Sequence, residues 1–284
     1  MKKAMCFVLV SVFAAAGANA YFNGGADLTT GPGDYRGTNL YFTAGTDNFW
    51  LTPSMATYNS DALKKTRRTF QLRAGYETEL YTLAGLAGMT PEVSGYSNNF
   101  AGGDITVSLT PGKGGKSRLA GPNARAGGSG GGAGVTRIDV GAGLKHTIHD
   151  NTIGTDTKTG QTEFSLFAGA RVLMAQLGAS YTGYAYGEEK AAPELGTVPG
   201  LNFARSAYPR SSINARVTLP GYPLVTPFVA YTGTKYKAGE KDSSAYLFGA
   251  DLDLNMVAAN VAYQIFNDGS ARTSFISIGA GIKF

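Results

Sequence analysis

The two histidines are the residues of this 284-residue chain whose chemistry first suggests catalysis. His149 is followed directly by Asp150, and a histidine beside a carboxylate can act as the general base of a hydrolase. His146 lies three residues earlier, a spacing that puts two strand side chains on opposite faces and disfavours a chelating pair. Since no nucleophile occurs in a recognisable setting, a hydrolase at the rim is kept as a third hypothesis, and the sequence predicts no enzyme and no cofactor or metal.

A second pattern imitates a phosphate-binding loop. Gly115-Lys116-Ser117 matches the end of that motif, but the glycine required five residues before Gly115 is replaced by Thr110. The surrounding residues 111–134 are rich in glycine, which makes an ordered conformation entropically expensive. We therefore expect residues 111–134 to form a flexible loop that the fold can dispense with.

Charged residues that share one face of alternating segments are the main candidates for function. Buried charges persist only where they are paired or hydrated, so these side chains either line a water-filled pore and set its ion preference or pair into a plug. Glycines on the same face, including Gly169 and Gly178, favour open space over filling. The predicted pore-lining residues are Arg73, Glu77, Arg137, Asp139, Lys145, Glu163, Arg171, Arg216, Asp251, Asp253 and Lys283.

These residues lie in segments that alternate between apolar and polar positions. In the last segment Ile276, Ile278, Ala280 and Ile282 alternate with serine, glycine and lysine, as expected of a strand with one apolar face. Each segment spans about 10–14 residues, close to the ~9–11 with which a tilted strand crosses a bilayer. Twelve such segments are predicted, at 47–58, 66–77, 79–89, 100–110, 135–149, 161–173, 175–187, 207–219, 222–236, 243–254, 256–266 and 271–284.

The predicted fold is therefore all-β: a closed antiparallel up-and-down transmembrane β-barrel of about 12 strands, with 10 or 14 also compatible. Tight turns alternate with longer polar connections, which is the arrangement of membrane barrels. Residues 21–46 remain over, either as an additional strand or as a segment in the lumen or periplasm, so the barrel proper is predicted for 47–284. Aromatic residues near strand ends predict two girdles at the membrane surfaces: Trp50, Tyr58, Tyr76, Tyr81, Tyr181, Tyr208, Tyr231, Tyr246, Phe266 and Phe284.

Composition and the N-terminus agree with export. Charged residues make up only 16% of the chain, and a formal net charge of +5 is too small to indicate a nucleic-acid partner. Met1-Lys2-Lys3, an apolar run and Ala18-Asn19-Ala20 predict a cleaved secretory signal peptide over residues 1–20. The single cysteine lies inside that peptide, so disulfide and thiolate chemistry are excluded from the mature chain.

With its signal peptide, alternating strands and closing segment Phe275–Phe284, the sequence resembles the bacterial outer-membrane β-barrel class. The resemblance implies location in the outer membrane of a Gram-negative cell, contact with its lipids and lipopolysaccharide, and Phe284 as the assembly signal read by the barrel-assembly machinery. It also implies a porin-like channel for passive diffusion of small polar solutes or ions. The alternative is a non-conducting structural or adhesive surface barrel, and the solute and the oligomeric state stay open.

Overall fold

A computed structural model describes residues 21–110, 118–122, 124, 135–152, 157–190, 192–195, 197–201, 205–220, 224–237 and 239–283. Within these ranges the chain forms strands and connections. The predicted signal peptide and Phe284 lie outside the described residues, as does most of 111–134. The strands are β1 (Tyr21–Gly31), β2 (Tyr35–Gly45), β3 (Phe49–Ser60), β4 (Leu63–Glu77), β5 (Tyr81–Val93), β6 (Tyr96–Ser108), β7 (Val135–Asn151), β8 (Thr157–Val172), β9 (Ala175–Tyr186), β10 (Glu194–Leu195), β11 (Arg205–Ser206), β12 (Pro209–Thr218), β13 (Val225–Tyr236), β14 (Ser243–Leu254), β15 (Val257–Asn267) and β16 (Arg272–Lys283).

Fourteen of the described strands form a closed antiparallel up-and-down barrel, and β10 and β11 form a separate short hairpin. The barrel closes where β1 pairs with β16, from Asn23 opposite Lys283 to Thr30 opposite Ile276. The prediction of about 12 strands is corrected to 14, one of the counts that the sequence left open. Each of the 12 predicted segments coincides with one strand, and residues 21–45 supply the two others, β1 and β2.

Tight connections occur at both ends of the barrel, so the predicted alternation of tight turns with longer connections holds only in part. We call the end that holds Tyr21 and Lys283 the terminal end, and the opposite end the loop end. Several connections at both ends are tight; Ser94 and Gly95, for example, join β5 to β6 at the loop end, both with positive φ as in a type I′ hairpin turn. One long connection interrupts this pattern at each end: 109–134 at the terminal end and 187–208 at the loop end.

The outer face of the barrel is apolar and the inner face is polar. Large hydrophobic side chains such as Leu72, Leu144 and Ile278 are about half exposed on the outside. Trp50, Tyr58 and Phe266, which the sequence assigned to membrane-surface girdles, are buried instead. They lie at even positions of β3 and β15, which face inward, so this part of the girdle prediction is wrong. Among the described residues there is no helix long and apolar enough to cross a membrane.

Candidate functional site: the barrel interior

All eleven charged candidates lie on strand faces that point into the barrel, and most of them form ion pairs. Arg137 Nε lies 3.1 Å from Asp139 Oδ1, and Lys145 Nζ lies 2.6 Å from Glu163 Oε1. Further along the wall, the Arg216–Asp251 contact measures 3.4 Å and the Lys283–Asp253 contact 2.6 Å. Arg73 pairs with Asp104, a residue of β6 that the sequence analysis did not select.

These pairs divide the wall into a dry side and a wet side. On the dry side, formed by β4 to β8, the side chains of Arg73 and Asp104 are 9% and 3% exposed, whereas Lys145, nearer the loop end, is 30% exposed. Arg171 is also buried there, directly opposite Arg137 in the register, and Glu77 is buried at the terminal end of β4. On the wet side, formed by β12 to β16, Arg216 and Asp251 are 37% and 35% exposed, and Lys283 and Asp253 are 40% and 65% exposed.

Part of the long terminal-end connection is folded into the barrel. We call residues 118–122 and 124 the inner segment. Its Arg118 is fully buried: Nε donates to Thr82 Oγ1 at 2.8 Å, Nη1 donates to the Glu79 carbonyl at 3.1 Å, and Nη2 donates to the Thr78 carbonyl. Burial lowers the pKa of the Arg118 guanidinium, while the carboxylate of Asp139 acts in the opposite direction. The guanidinium therefore anchors the inner segment to the turn between β4 and β5.

The inner segment packs against glycines of the wall, and we call this contact its seat. Gly169 and Gly178 are paired across β8 and β9, and a Cβ atom added at Gly169 would lie 2.8 Å from both the carbonyl carbon and the Cβ of Leu119. Leu119 N also donates to Asp139 Oδ2 at 2.8 Å. Gly121, at φ +80°, packs against the ring of Phe167. The sequence interpretation that these inward glycines favour open space is wrong at this seat, because other parts of the chain fill the space.

The long loop-end connection also folds into the barrel. We call residues 192–195 and 197–201 the mouth segment. Its Glu194 pairs with Arg67 of β4, and the Glu194 carbonyl accepts a hydrogen bond from Tyr96 of β6 at 3.2 Å. Three strands away from β4, Thr29 of β1 donates to the Gly200 carbonyl at 3.4 Å, and on the opposite wall Thr234 of β13 donates to Thr197 Oγ1 at 3.1 Å. The segment is therefore attached to both sides of the loop-end opening.

An apolar cluster holds the mouth segment in place. It consists of Tyr35, Tyr58, Val198, Leu201, Ala245, Phe266 and Phe275, with Leu63 packed against it. Val198 and Leu201 are the two members that the mouth segment contributes. The loop-end opening is thus crossed by a packed piece of chain.

The histidines do not form a catalytic group among the described residues. His149 lies within β7 and is fully buried. Its Nδ1 is 2.7 Å from Tyr96 Oη and its Nε2 is 2.7 Å from Gln161 Oε1. His146 lies on the outer face, 3.0 Å from Thr162 Oγ1. Asp150 faces away from His149 and pairs with Lys158 at 3.5 Å, and the described part of the chain holds no cluster of three metal-ligating side chains.

Between the inner segment and the wall formed by β8, β9, β12 and β14 lies a cavity of about 520 Å³. Among the described residues, its charged lining is Arg216 and Asp251. A second cavity of about 230 Å³, which contains Asp27, Asp253 and Lys283, lies at the terminal end, and Asp251 lines both cavities. The polar and apolar lining of the larger cavity includes Leu119, Ala120, Phe167, Gln176, Ser180, Thr182, Asn214 and Thr218.

Comparisons with known proteins identify the fold but no family. No protein-family model and no curated protein matches the sequence. Among solved structures, CdiB from Acinetobacter baumannii matches with a TM-score of 0.53 and 11% identity over 95% of this chain, which spans 61% of CdiB. The CymD monoaromatic hydrocarbon channel matches with a TM-score of 0.51 and 10% identity over 95% of this chain and 89% of CymD. The chain therefore has the fold of the outer-membrane β-barrels.

Proposed function

We propose that this protein is an outer-membrane channel through which small polar solutes diffuse passively, without an enzymatic step or a cofactor. The observation that carries the proposal is a closed barrel with an apolar outside and a cavity of about 520 Å³ lined by polar and charged groups. An apolar outer surface suits lipid, and a polar interior suits water and hydrophilic solutes. CymD, a structure of similar fold, is described as a channel.

The interior favours a narrow, selective channel over a general pore. Barrels of 8 strands are filled by side chains and those of 16 to 18 leave an aqueous channel, so 14 strands lie between these cases. The inner segment and the mouth segment both occupy interior space. Solutes would therefore pass close to the wet side of the wall, along Arg216, Asp251 and the pair of Asp253 with Lys283.

A non-conducting structural or adhesive barrel is the second candidate, and the mouth segment favours it. Glu194 and Thr197 bind this segment to opposite walls, and Val198 and Leu201 bury it in an apolar cluster. A barrel closed in this way permanently would carry no current and would present its loop end to a neighbour or a host.

Current and solute flux distinguish the two candidates. Purified protein, shown to be folded by a β-type circular dichroism spectrum, would be inserted into planar bilayers and into liposomes. We expect discrete current steps and permeation of small polar solutes. Folded, inserted protein that carries neither current nor flux would exclude the channel and favour the structural role.

A further inference from the structure

We propose that the larger cavity binds a small zwitterionic solute, with Arg216 holding its anionic group and Asp251 its cationic group. The class of solute is that of a free α-amino acid. As a substrate assignment the inference rests on the proposed channel, but as a binding site it does not.

Among the interior pairs described above, the Arg216–Asp251 pair combines a long contact with exposed side chains, whereas the more exposed Lys283–Asp253 pair has a short contact. The Arg216–Asp251 contact of 3.4 Å is long, while the Lys145–Glu163 contact measures 2.6 Å. Both of its side chains are more than one third exposed although they lie on the inside of the wall. A solute can therefore reach both charges without breaking a short, dry ion pair.

Packing fixes the orientation of the Arg216 guanidinium. Its Cζ lies 3.7 Å from the centre of the Phe228 ring, and its Nε donates to Thr218 Oγ1 at 3.3 Å. Nη2 faces Asp251 Oδ2, so the hydrogen bonds of Arg216 within the described chain use Nε and Nη2. Nη1 is left to bind a solute carboxylate, and an oriented guanidinium loses little freedom when it does so.

The close spacing of the two charges suits a zwitterion. In an α-amino acid one carbon separates the ammonium from the carboxylate, so both groups can reach an adjacent guanidinium and carboxylate at the same time. A simple anion would be repelled by Asp251 and by nearby Asp27, and a simple cation by Arg216. An uncharged solute would form neither of the two charge-assisted hydrogen bonds.

The remaining lining accommodates a short side chain. Apolar contacts are available from Leu119 and Phe167, and hydrogen-bonding groups from Ser180, Thr182 and Asn214. A volume of about 520 Å³ lies within the range of small-molecule sites.

Four probes of nearly equal shape test the proposal: L-alanine as the zwitterion, lactate as the anion, alaninamide as the cation and lactamide as the neutral solute. Dissociation constants would be measured by calorimetry or NMR titration on the full barrel in detergent at pH 6, where α-amino groups are protonated. Each charge-assisted hydrogen bond strengthens binding by about tenfold or more. We expect L-alanine to bind at least about tenfold more tightly than the other three.

Two variants test which charge of the solute each side chain recognises. Asp251→Asn leaves Arg216 and should make lactate the preferred probe, while Arg216→Gln leaves Asp251 and should favour alaninamide. The control Glu189→Gln removes a carboxylate that pairs with Lys237 at 2.7 Å outside the cavity, and it should leave the order of affinities unchanged. If Arg216→Gln does not fold, the preference of Asp251→Asn for lactate still tests the proposal.

Flux through liposomes separates this inference from the channel itself. Binding in the expected order without flux would support the site and exclude the channel. Flux of all four probes at equal rates, with equal affinities, would leave the channel intact and overturn the zwitterion site. An order of affinities that neither variant alters would overturn it as well.

Discussion

Interior arginines are held by aromatic rings as well as by carboxylates. Arg73 Cζ lies 5.8 Å from the ring centre of Trp50, and Arg67 Cζ lies 4.8 Å from that of Tyr96. The cation–π interaction of a desolvated guanidinium with an aromatic face is worth about 2 kcal/mol. This contact stabilises the inward orientation of Trp50. From the sequence alone, Trp50 was only an aromatic residue near a strand end, which suggested a position at the membrane surface.

At the scale of single residues, Gly169→Ala should displace the inner segment. The added Cβ would lie 2.8 Å from Leu119 atoms, and overpacking of this kind typically costs about 1–3 kcal/mol. Because Arg118 is buried in the folded protein, trypsin should cleave after it faster in the variant than in the parent, as measured by mass spectrometry. In the control Gly183→Ala, the added Cβ would lie 3.8 Å from its nearest neighbour, an atom of the Tyr181 ring. Cleavage after Arg118 should therefore be unchanged. Equal cleavage in both variants would contradict the proposed seat.

At the scale of elements, the mouth segment depends on polar contacts as well as on apolar burial. Burial of Val198 and Leu201 contributes about 1.5–3 kcal/mol each. Ordering the backbone costs about 1–2 kcal/mol per residue, so the apolar contacts alone do not secure the segment. The Arg67–Glu194 pair and the hydrogen bonds to Thr29 and Tyr96 are therefore needed in addition.

Glu194→Gln should therefore increase opening of the mouth segment. The Glu194 side chain is 24% exposed and its partner Arg67 only 5%, so the loss weakens a largely buried charged contact. We expect faster hydrogen exchange at the backbone amide of Leu201, which donates to the Val198 carbonyl at 3.2 Å, and longer open times in bilayer recordings.

The matched control for this change is Glu188→Gln. Glu188 pairs with Lys190, but their side chains are 71% and 57% exposed, and exposed pairs contribute about 0–1 kcal/mol. Exchange at Leu201 should be unaffected by the control. A Glu194→Gln protein whose exchange equals that of the control would show that the apolar cluster holds the segment without the ion pair.

The inner segment gives a second prediction at the element scale. Replacing residues 118–124 with glycine and serine removes the Arg118 anchor and the Leu119 contact, while every barrel strand keeps its sequence. We expect the same unheated mobility in detergent gels as for the parent, because the closed ladder is intact, and a larger single-channel conductance. An unfolded product would show that the inner segment is required for assembly. That the whole of 111–134 is dispensable stays a prediction.

The alternation of side chains predicted much of this architecture because period two is strong in long strands. It left residues 21–46 open as an additional strand or a lumen segment, and these residues form two strands; in β1, Gly24 occupies an outward position and weakens the apolar face. The same alternation places the eleven charged candidates on the inner face, although their role in a pore stays a prediction. Asp104 lies on the same strand face as Thr106, and both are buried, so the same alternation could also have predicted that Asp104 points inward.

Other parts of the candidate site could not be predicted from the sequence. Arg118 and Glu194 belong to the two long connections, which carry no periodicity to indicate where a side chain points. The use of Gly169 and Gly178 as a seat depends on Leu119, about fifty residues earlier in the chain, and only the closed barrel brings them together. Contacts of this kind follow from the tertiary structure and not from a local pattern.

At the scale of the whole molecule, the unequal hydration of the two sides of the wall should separate stability from selectivity. On the dry side, Asp104→Asn removes the carboxylate that Arg73 binds. Breaking one side of a buried pair costs about 3–5 kcal/mol, so the midpoint of thermal unfolding should fall clearly. Ion selectivity should change little, because neither side chain is more than 9% exposed.

The double change Asp251→Asn and Asp253→Asn on the wet side should have the opposite effect. It removes two carboxylates that are 35% and 65% exposed and leaves the cations of Arg216 and Lys283 along the same path. Solvent screens partly exposed pairs, so we expect the thermal midpoint to stay close to that of the parent. Charged side chains that line a pore set its ion preference, so the reversal potential in a salt gradient should shift towards that of an anion-selective channel.

Since Asp104→Asn also removes a carboxylate, total charge alone would predict a shift of the same sign in both proteins. A shift confined to the double variant would therefore place the conducting path along β12 to β16. A double variant that loses stability as Asp104→Asn does, with no current before or after the change, would instead indicate a paired plug and a structural barrel.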